Sequence, residues 1–185
     1  MLKTARRLLE LALAVYVVGV LGLAAAAKAA PVAGYGLYAV RSASMAPAIG
    51  VGDLVVAQQV DPAAIRPGDV ITVAARTGTI VTHRVVAITS NVDGPAFTTR
   101  GDANASPDPV VTLAAQVRGR VAWEIPLLGF LLAMVSTPSG IVALLSIGGT
   151  LLTAVWLLDG LEASEEEEEL EALARALGTG RAALP

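Results

Sequence analysis

Ser44 lies in the run Ser42-Ala43-Ser44-Met45-Ala46-Pro47, a short way beyond a membrane-length apolar segment. A serine hydroxyl is a poor nucleophile until a base takes its proton. Few bases are on offer. His83 is the only histidine of the chain, and the only lysines, Lys3 and Lys28, both precede Ser44 and flank the apolar segment. Cysteine is absent, which excludes disulfides, thiol catalysis and thiolate metal sites. Nucleophilic chemistry outside a membrane therefore falls to Ser44 with His83, whose imidazole accepts and returns a proton near neutral pH. An acid must then fix the imidazole tautomer and stabilise the imidazolium. Asp102 and Asp108 are both candidates, six residues apart on one polar loop over residues 101–109. The backbone N–H of Ser44 is a candidate donor to the oxyanion that acyl transfer develops.

These residues need a scaffold, and the pattern around them predicts strands. Residues 35–41 read as a strand that delivers the chain to Ser42. Residues 53–60 form a second β-rich run, announced by Gly50 and Gly52. Asp61-Pro62 and Arg66-Pro67-Gly68 mark a turn region. Residues 69–75 and 80–88 are Val/Ile/Thr-rich and are split by Arg76-Thr77-Gly78-Thr79, a hairpin pattern. A turn over 91–95, a short strand over 96–100 and a last strand over 116–125 complete the set. Short strands at close spacing, with no helical period between them, predict a small antiparallel β domain. Asp53 and Asp69, each after a glycine, read as turn and strand-entry residues. Arg84 follows His83 on its strand, so it points to the opposite face and reads as a surface residue. Met45, beside the nucleophile, either packs or faces lipid or substrate.

The chain of 185 residues suits one such domain plus membrane segments, and its 55% hydrophobic content is high for a soluble protein. Residues 8–27 form an apolar segment long enough to cross a bilayer core. Lys3, Arg6 and Arg7 precede it, which places the N-terminus in the cytoplasm. Residues 141–158 form a second span, interrupted by Gly148 and Gly149 but carrying no charge. The organisation expected is a cytoplasmic start and anchor at 1–28, an extracytoplasmic β domain at 29–138, a second transmembrane helix at 139–159 and an acidic cytoplasmic tail at 160–185. Ala27-Lys28-Ala29 offers a competing reading of the first segment as a removable signal peptide. The apolar stretch is longer than such signals use, and Pro31 follows closely, so a retained anchor is preferred. Residues 126–134 are apolar but too short to span; they read either as a helix lying on the membrane or as a lead-in to the second span. Glu165 to Glu169, five acids in a row, read as a solvated face or a disordered tail, with docking of a cytoplasmic partner as the alternative. The net charge of −3 gives no basis for binding nucleic acid.

Four short motifs fall in one order: the Ser42–Pro47 run; Gly52-Asp53-Leu54-Val55-Val56, echoed by Pro67-Gly68-Asp69-Val70-Ile71; Thr82-His83-Arg84-Val85-Val86; and Arg100-Gly101-Asp102-Ala103-Asn104 through Asp108. Together, between two apolar segments, they resemble type I signal peptidases of the archaeal and endoplasmic-reticulum branch, over roughly residues 8–125. The resemblance implies a mainly β, signal-peptidase-like domain between an N-terminal and a C-terminal transmembrane helix. It implies a multi-pass protein of the cell membrane, held at the lipid surface, that cuts signal peptides from exported pre-proteins. Ser44 would be the nucleophile, His83 the base and acid, and Asp108 the third member, because the later acid of the Gly-Asp pattern usually takes that place. Asp102 would order the loop or support the site as a second acid, and the Ser42 hydroxyl would assist at the oxyanion. The bacterial branch uses a lysine base, which no lysine after Ser44 can supply here. Ala46 stands where the family often has an acid, and Ala103 where it often has Asn. Small side chains flanking the cleavage point, in an A-x-A pattern, and contact with secretion machinery are implied in the same way. The chemistry calls for no metal or organic cofactor. A reading from another class is a non-catalytic, membrane-anchored β domain that binds or assembles exported proteins.

Overall fold

The computed structural model describes residues 2–75, 78–92 and 94–177. These divide into two compact units: one from the start of the chain to Gly19 and from Val142 onward, the other Val20–Ile141.

The second unit is built on one sheet. Seven strands, β1 (Tyr35–Ala39), β2 (Leu54–Gln58), β3 (Val70–Ala74), β4 (Ile80–Asn91), β5 (Gly94–Arg100), β6 (Thr112–Leu113) and β7 (Val117–Ile125), pair antiparallel throughout. Their order is β1-β2-β7-β3-β4-β5-β6. The fold is therefore the mainly antiparallel β domain that the sequence predicts, carried between two long apolar helices. Two differences are local. β6 has only two residues and no sequence period marks it. β4 runs to Asn91 and β5 starts at Gly94, so residues 91, 94 and 95 of the expected 91–95 turn belong to strands. Asp93 of that turn, and Arg76 and Thr77 of the expected 76–79 turn, lie outside the described residues.

Alternation along the strands assembles the core. Ile71, Val73, Val85 and Phe97 pack with Ile65, flanked by Val81 and Val117. Met45, Ile49, Val55 and Ala57 form a second cluster with Tyr38, Val40, Val70 and Val121 around it. Phe97 is completely buried. Phe97→Ala should lower unfolding stability by ~3–5 kcal/mol, the cost of a cavity where an aromatic ring is removed. Urea unfolding of the detergent-solubilised protein measures it.

Residues 126–134, which the sequence leaves open between a helix lying on the membrane and a lead-in to the second span, enter a short helix, α2 (Leu128–Ser136), which packs against β1 and β2. Close approach makes this possible. Gly52 has φ +91°, and a side chain there would run into the ring of Phe130. Asp53 accepts from the backbone N–H of Gly50 and of Leu127, joining the start of β2 to the entry of α2. Asp53 is thus the turn residue expected, with an added long-range tie. Thr137 is extended because a proline follows it. Its hydroxyl accepts from the N–H of Gly140, so Thr137 ends α2 and caps the next helix, with Pro138 in its first turn.

Two helices, α1 (Leu2–Ala29) and α3 (Pro138–Ala176), are long and apolar enough to cross a membrane. In the first unit they run antiparallel. The Tyr16 hydroxyl donates to the Leu144 carbonyl at 2.5 Å. Arg6 binds Asp159 at 2.6 Å and Glu162 at 2.8 Å, and Lys3 binds Glu166 at 2.9 Å. The acidic run lies on the same helix as the second apolar segment, because α3 continues through Glu165–Glu169 to Ala176. Glu and Leu are good helix formers, so nothing in 160–176 stops the helix that the apolar part begins. The five glutamates remain exposed, as a solvated helical face.

Candidate active site

Ser44 sits on the turn that follows β1. Met45 and Ile49, both 2% exposed, pin this turn to the core, and the Ile49 N–H donates to the Met45 carbonyl. The Met45 side chain packs in the core and also lines the cleft beside Ser44. Ser44 itself is left half-buried with its hydroxyl free to turn toward β4.

His83 comes from β4. Val81, His83 and Val85 share one strand face, and Val85 lies in the core, so the ring is carried inward. His83 is 8% exposed. Its Nε2 is 3.1 Å from Ser44 Oγ, across 39 positions of sequence. Its Nδ1 is 2.6 Å from Asp108 Oδ2. An ionised carboxylate only accepts, so Nδ1 carries the proton and Nε2 presents its lone pair to the Ser44 hydroxyl.

Asp108 is placed by β5. Its backbone N–H donates to the Thr99 carbonyl at 2.8 Å, and the Thr99 hydroxyl donates to Oδ2 at 2.6 Å. Thr99 is 2% exposed and lies on the same strand face as Phe97. The sequence reading missed Thr99. Alternation from the aromatic Phe97 was the available signal that it faces inward.

Asp102, the other acid, is turned elsewhere. Both of its oxygens are taken by Arg84, Oδ1 by Nε at 2.8 Å and Oδ2 by Nη2 at 2.6 Å. Arg84 is therefore not the plain surface residue expected, although it does leave β4 on the face opposite His83. The Arg84 hydrogen bonds, with the guanidinium charge behind them, hold the Asp102 carboxyl below the usual carboxylate range, against an opposing effect of burial. The pair adds stability above the ordinary carboxylate range that is lost as pH falls through the lowered Asp102 value.

Ser42 Oγ lies 3.3 Å from Ser44 Oγ. Ser42, Ser44, His83, Asn104 and Leu132 line a cleft of about 920 Å³. One wall is the free edge of β1, the other the start of β4. Among the described residues, no group of three or more His, Cys, Asp or Glu side chains is arranged to hold a metal ion.

Fold and site thus define a class: an antiparallel β domain with a hydroxyl, an imidazole and a carboxylate in hydrogen-bonded series at an open cleft. The chain is 39% identical over 88 residues to "Signal peptidase I W" of Bacillus subtilis (strain 168), a match that takes in 47% of this chain and 46% of that relative. The match thus spans about half the length of the curated relative. No family model matches the chain.

Proposed function

We propose that this chain is a membrane-anchored serine endopeptidase of the type I signal peptidase class, in its Ser-His-Asp branch, that removes signal peptides from exported pre-proteins. The observation that carries the reading is the series Ser44–His83–Asp108, at 3.1 and 2.6 Å. The similarity to a signal peptidase I supports the substrate class.

Ser44 Oγ attacks the scissile carbonyl as His83 Nε2 takes its proton. Asp108, held by Thr99, stabilises the imidazolium that forms. The tetrahedral oxyanion is met by the Ser44 backbone N–H and the Ser42 hydroxyl, which already sits beside Ser44 Oγ. The imidazolium then gives its proton to the departing amine, leaving an acyl ester on Ser44. That amine is the new N-terminus of the mature protein, which leaves at this step; water, deprotonated by His83, then hydrolyses the ester and releases the signal peptide. The substrate lies extended in the cleft, where the edge of β1 offers unpaired backbone groups.

α1 and α3 serve as anchors, with the basic start of α1 and the acidic end of α3 on the cytoplasmic side and the β domain across the membrane. Anchoring confines enzyme and signal peptide to one surface and raises their effective concentration. Secretion machinery at the same surface is a natural partner.

The test uses the full chain in detergent with a synthetic pre-protein carrying an A-x-A site. Cleavage after the second small residue is expected, and none when both are made bulky. Binding without a cut product would instead favour a non-catalytic receptor for exported segments.

A further inference from the structure

His83 and Arg84 are neighbours on β4, and neighbours on a strand face opposite ways. Asp102 and Asp108 stand near the two ends of one loop. The fold joins these pairs crosswise through the strand: His83 to Asp108 on one face, Arg84 to Asp102 on the other. The loop therefore grips β4 from both sides.

The Arg84 end of this grip is preorganised. Nη1 donates to the Gly68 carbonyl at 2.9 Å, while Nε and Nη2 form the fork to Asp102. Gly68 in turn donates to the Val85 carbonyl, closing the ring of contacts back onto β4. The guanidinium is fixed before the carboxylate meets it, and a planar fork specifies orientation as well as charge.

The same loop end holds the nucleophile. The Ala103 N–H, next to Asp102, donates to the Ser44 carbonyl at 2.9 Å. At Gly101, on the other side of Asp102, a Cβ would stand 2.5 Å from the Ser44 carbonyl oxygen, so the backbones are already in contact. One side-chain pair thus sits between two demands: the height of Ser44 under the imidazole, and the path of the loop that brings Asp108 behind it.

We propose that Arg84 is a positioning residue. Through Asp102 it locks the 101–108 loop against the back of β4 and so sets both Ser44 and Asp108 against the His83 ring. The proposal rests on the reading of Ser44, His83 and Asp108 as the reacting groups.

Because His83 is the only histidine, its ring N–H gives a single imidazole signal in the full chain. Proton–nitrogen NMR in detergent micelles reads the Nδ1–H bond to Asp108, and pre-protein kinetics are measured on the same samples. Arg84→Gln and the isosteric Asp102→Asn should each shift or broaden that signal. Each should lower kcat on the order of tenfold to a hundredfold, as a small misplacement of reacting groups does, with KM little changed. The double variant should be no worse than the poorer single one. Arg84→Lys keeps the charge without the fork and should stay impaired. An unchanged imidazole signal in a folded Arg84→Gln or Asp102→Asn protein would overturn the proposal. So would multiplying losses in the double variant, or full recovery by Arg84→Lys. A wild-type protein that cuts nothing would defeat the peptidase reading instead, and the NMR signal alone would then decide whether the clamp orders the ring.

Discussion

Ser44→Ala is expected to lower kcat for pre-protein cleavage by roughly 10⁶-fold, and His83→Ala by a similar factor, because members of such a unit fail together. The double variant should be no slower than either single one. The physical reason lies in the series of hydrogen bonds. The Ser44 hydroxyl is useful only while Nε2 can take its proton, and the imidazole has no task in acylation without that hydroxyl. Neither change should unfold the domain. The core clusters that hold the site are centred on Met45, Ile49 and Phe97, and neither Ser44 nor His83 belongs to them. Initial rates of product formation, with urea midpoints as the folding control, check both parts. Losses that multiply would mean that Ser44 and His83 act separately.

Asp108→Asn is expected to cost about 10⁴-fold in kcat, the scale of loss when the wrong imidazole tautomer is imposed. Asp108 Oδ2 receives two donors, His83 Nδ1 and the Thr99 hydroxyl. An amide has one oxygen to offer and one nitrogen that donates. If the oxygen stays with Thr99, the nitrogen faces Nδ1, and the ring must put its proton on Nε2. The Ser44 hydroxyl then meets a donor where it needs an acceptor. Asp102→Asn keeps the Asp108 carboxylate and its tautomer control and disturbs the His83 contact only indirectly, through the Arg84 clamp, so it should cost far less. Parallel kinetics of the two variants decide the matter, and the opposite order would reverse the roles of the two acids.

Much of this arrangement was legible because the chain offers so few alternatives. A single histidine, and no lysine after Ser44, leave little freedom in choosing a base. The strands were legible because Val70–Ala74 and the first part of β4 are rich in Val, Ile and Thr and are split by a turn sequence. What stayed hidden depends on the path of loops in space. Alternation puts Arg84 opposite His83, yet no local pattern reports that Asp102 will cross to meet it. Thr99 was hidden for a similar reason, since its role exists only once Asp108 folds back over β5. The break at Thr137-Pro138 has a capping signature, but the continuous apolar composition around it masked the signal. The five glutamates read as a solvated face and are exposed; what charge alone did not report is that they continue a helix whose acids at Asp159, Glu162 and Glu166 answer Lys3 and Arg6.

The most direct measurement is a single-turnover reaction of the full-length protein, in excess over one pre-protein, quenched in acid and mapped by mass spectrometry. The expected result is an acyl ester of the signal peptide on the fragment that contains Ser44, absent in Ser44→Ala, which also yields no mature product. An acyl group on any other residue, or mature product from Ser44→Ala at the wild-type rate, would contradict the account.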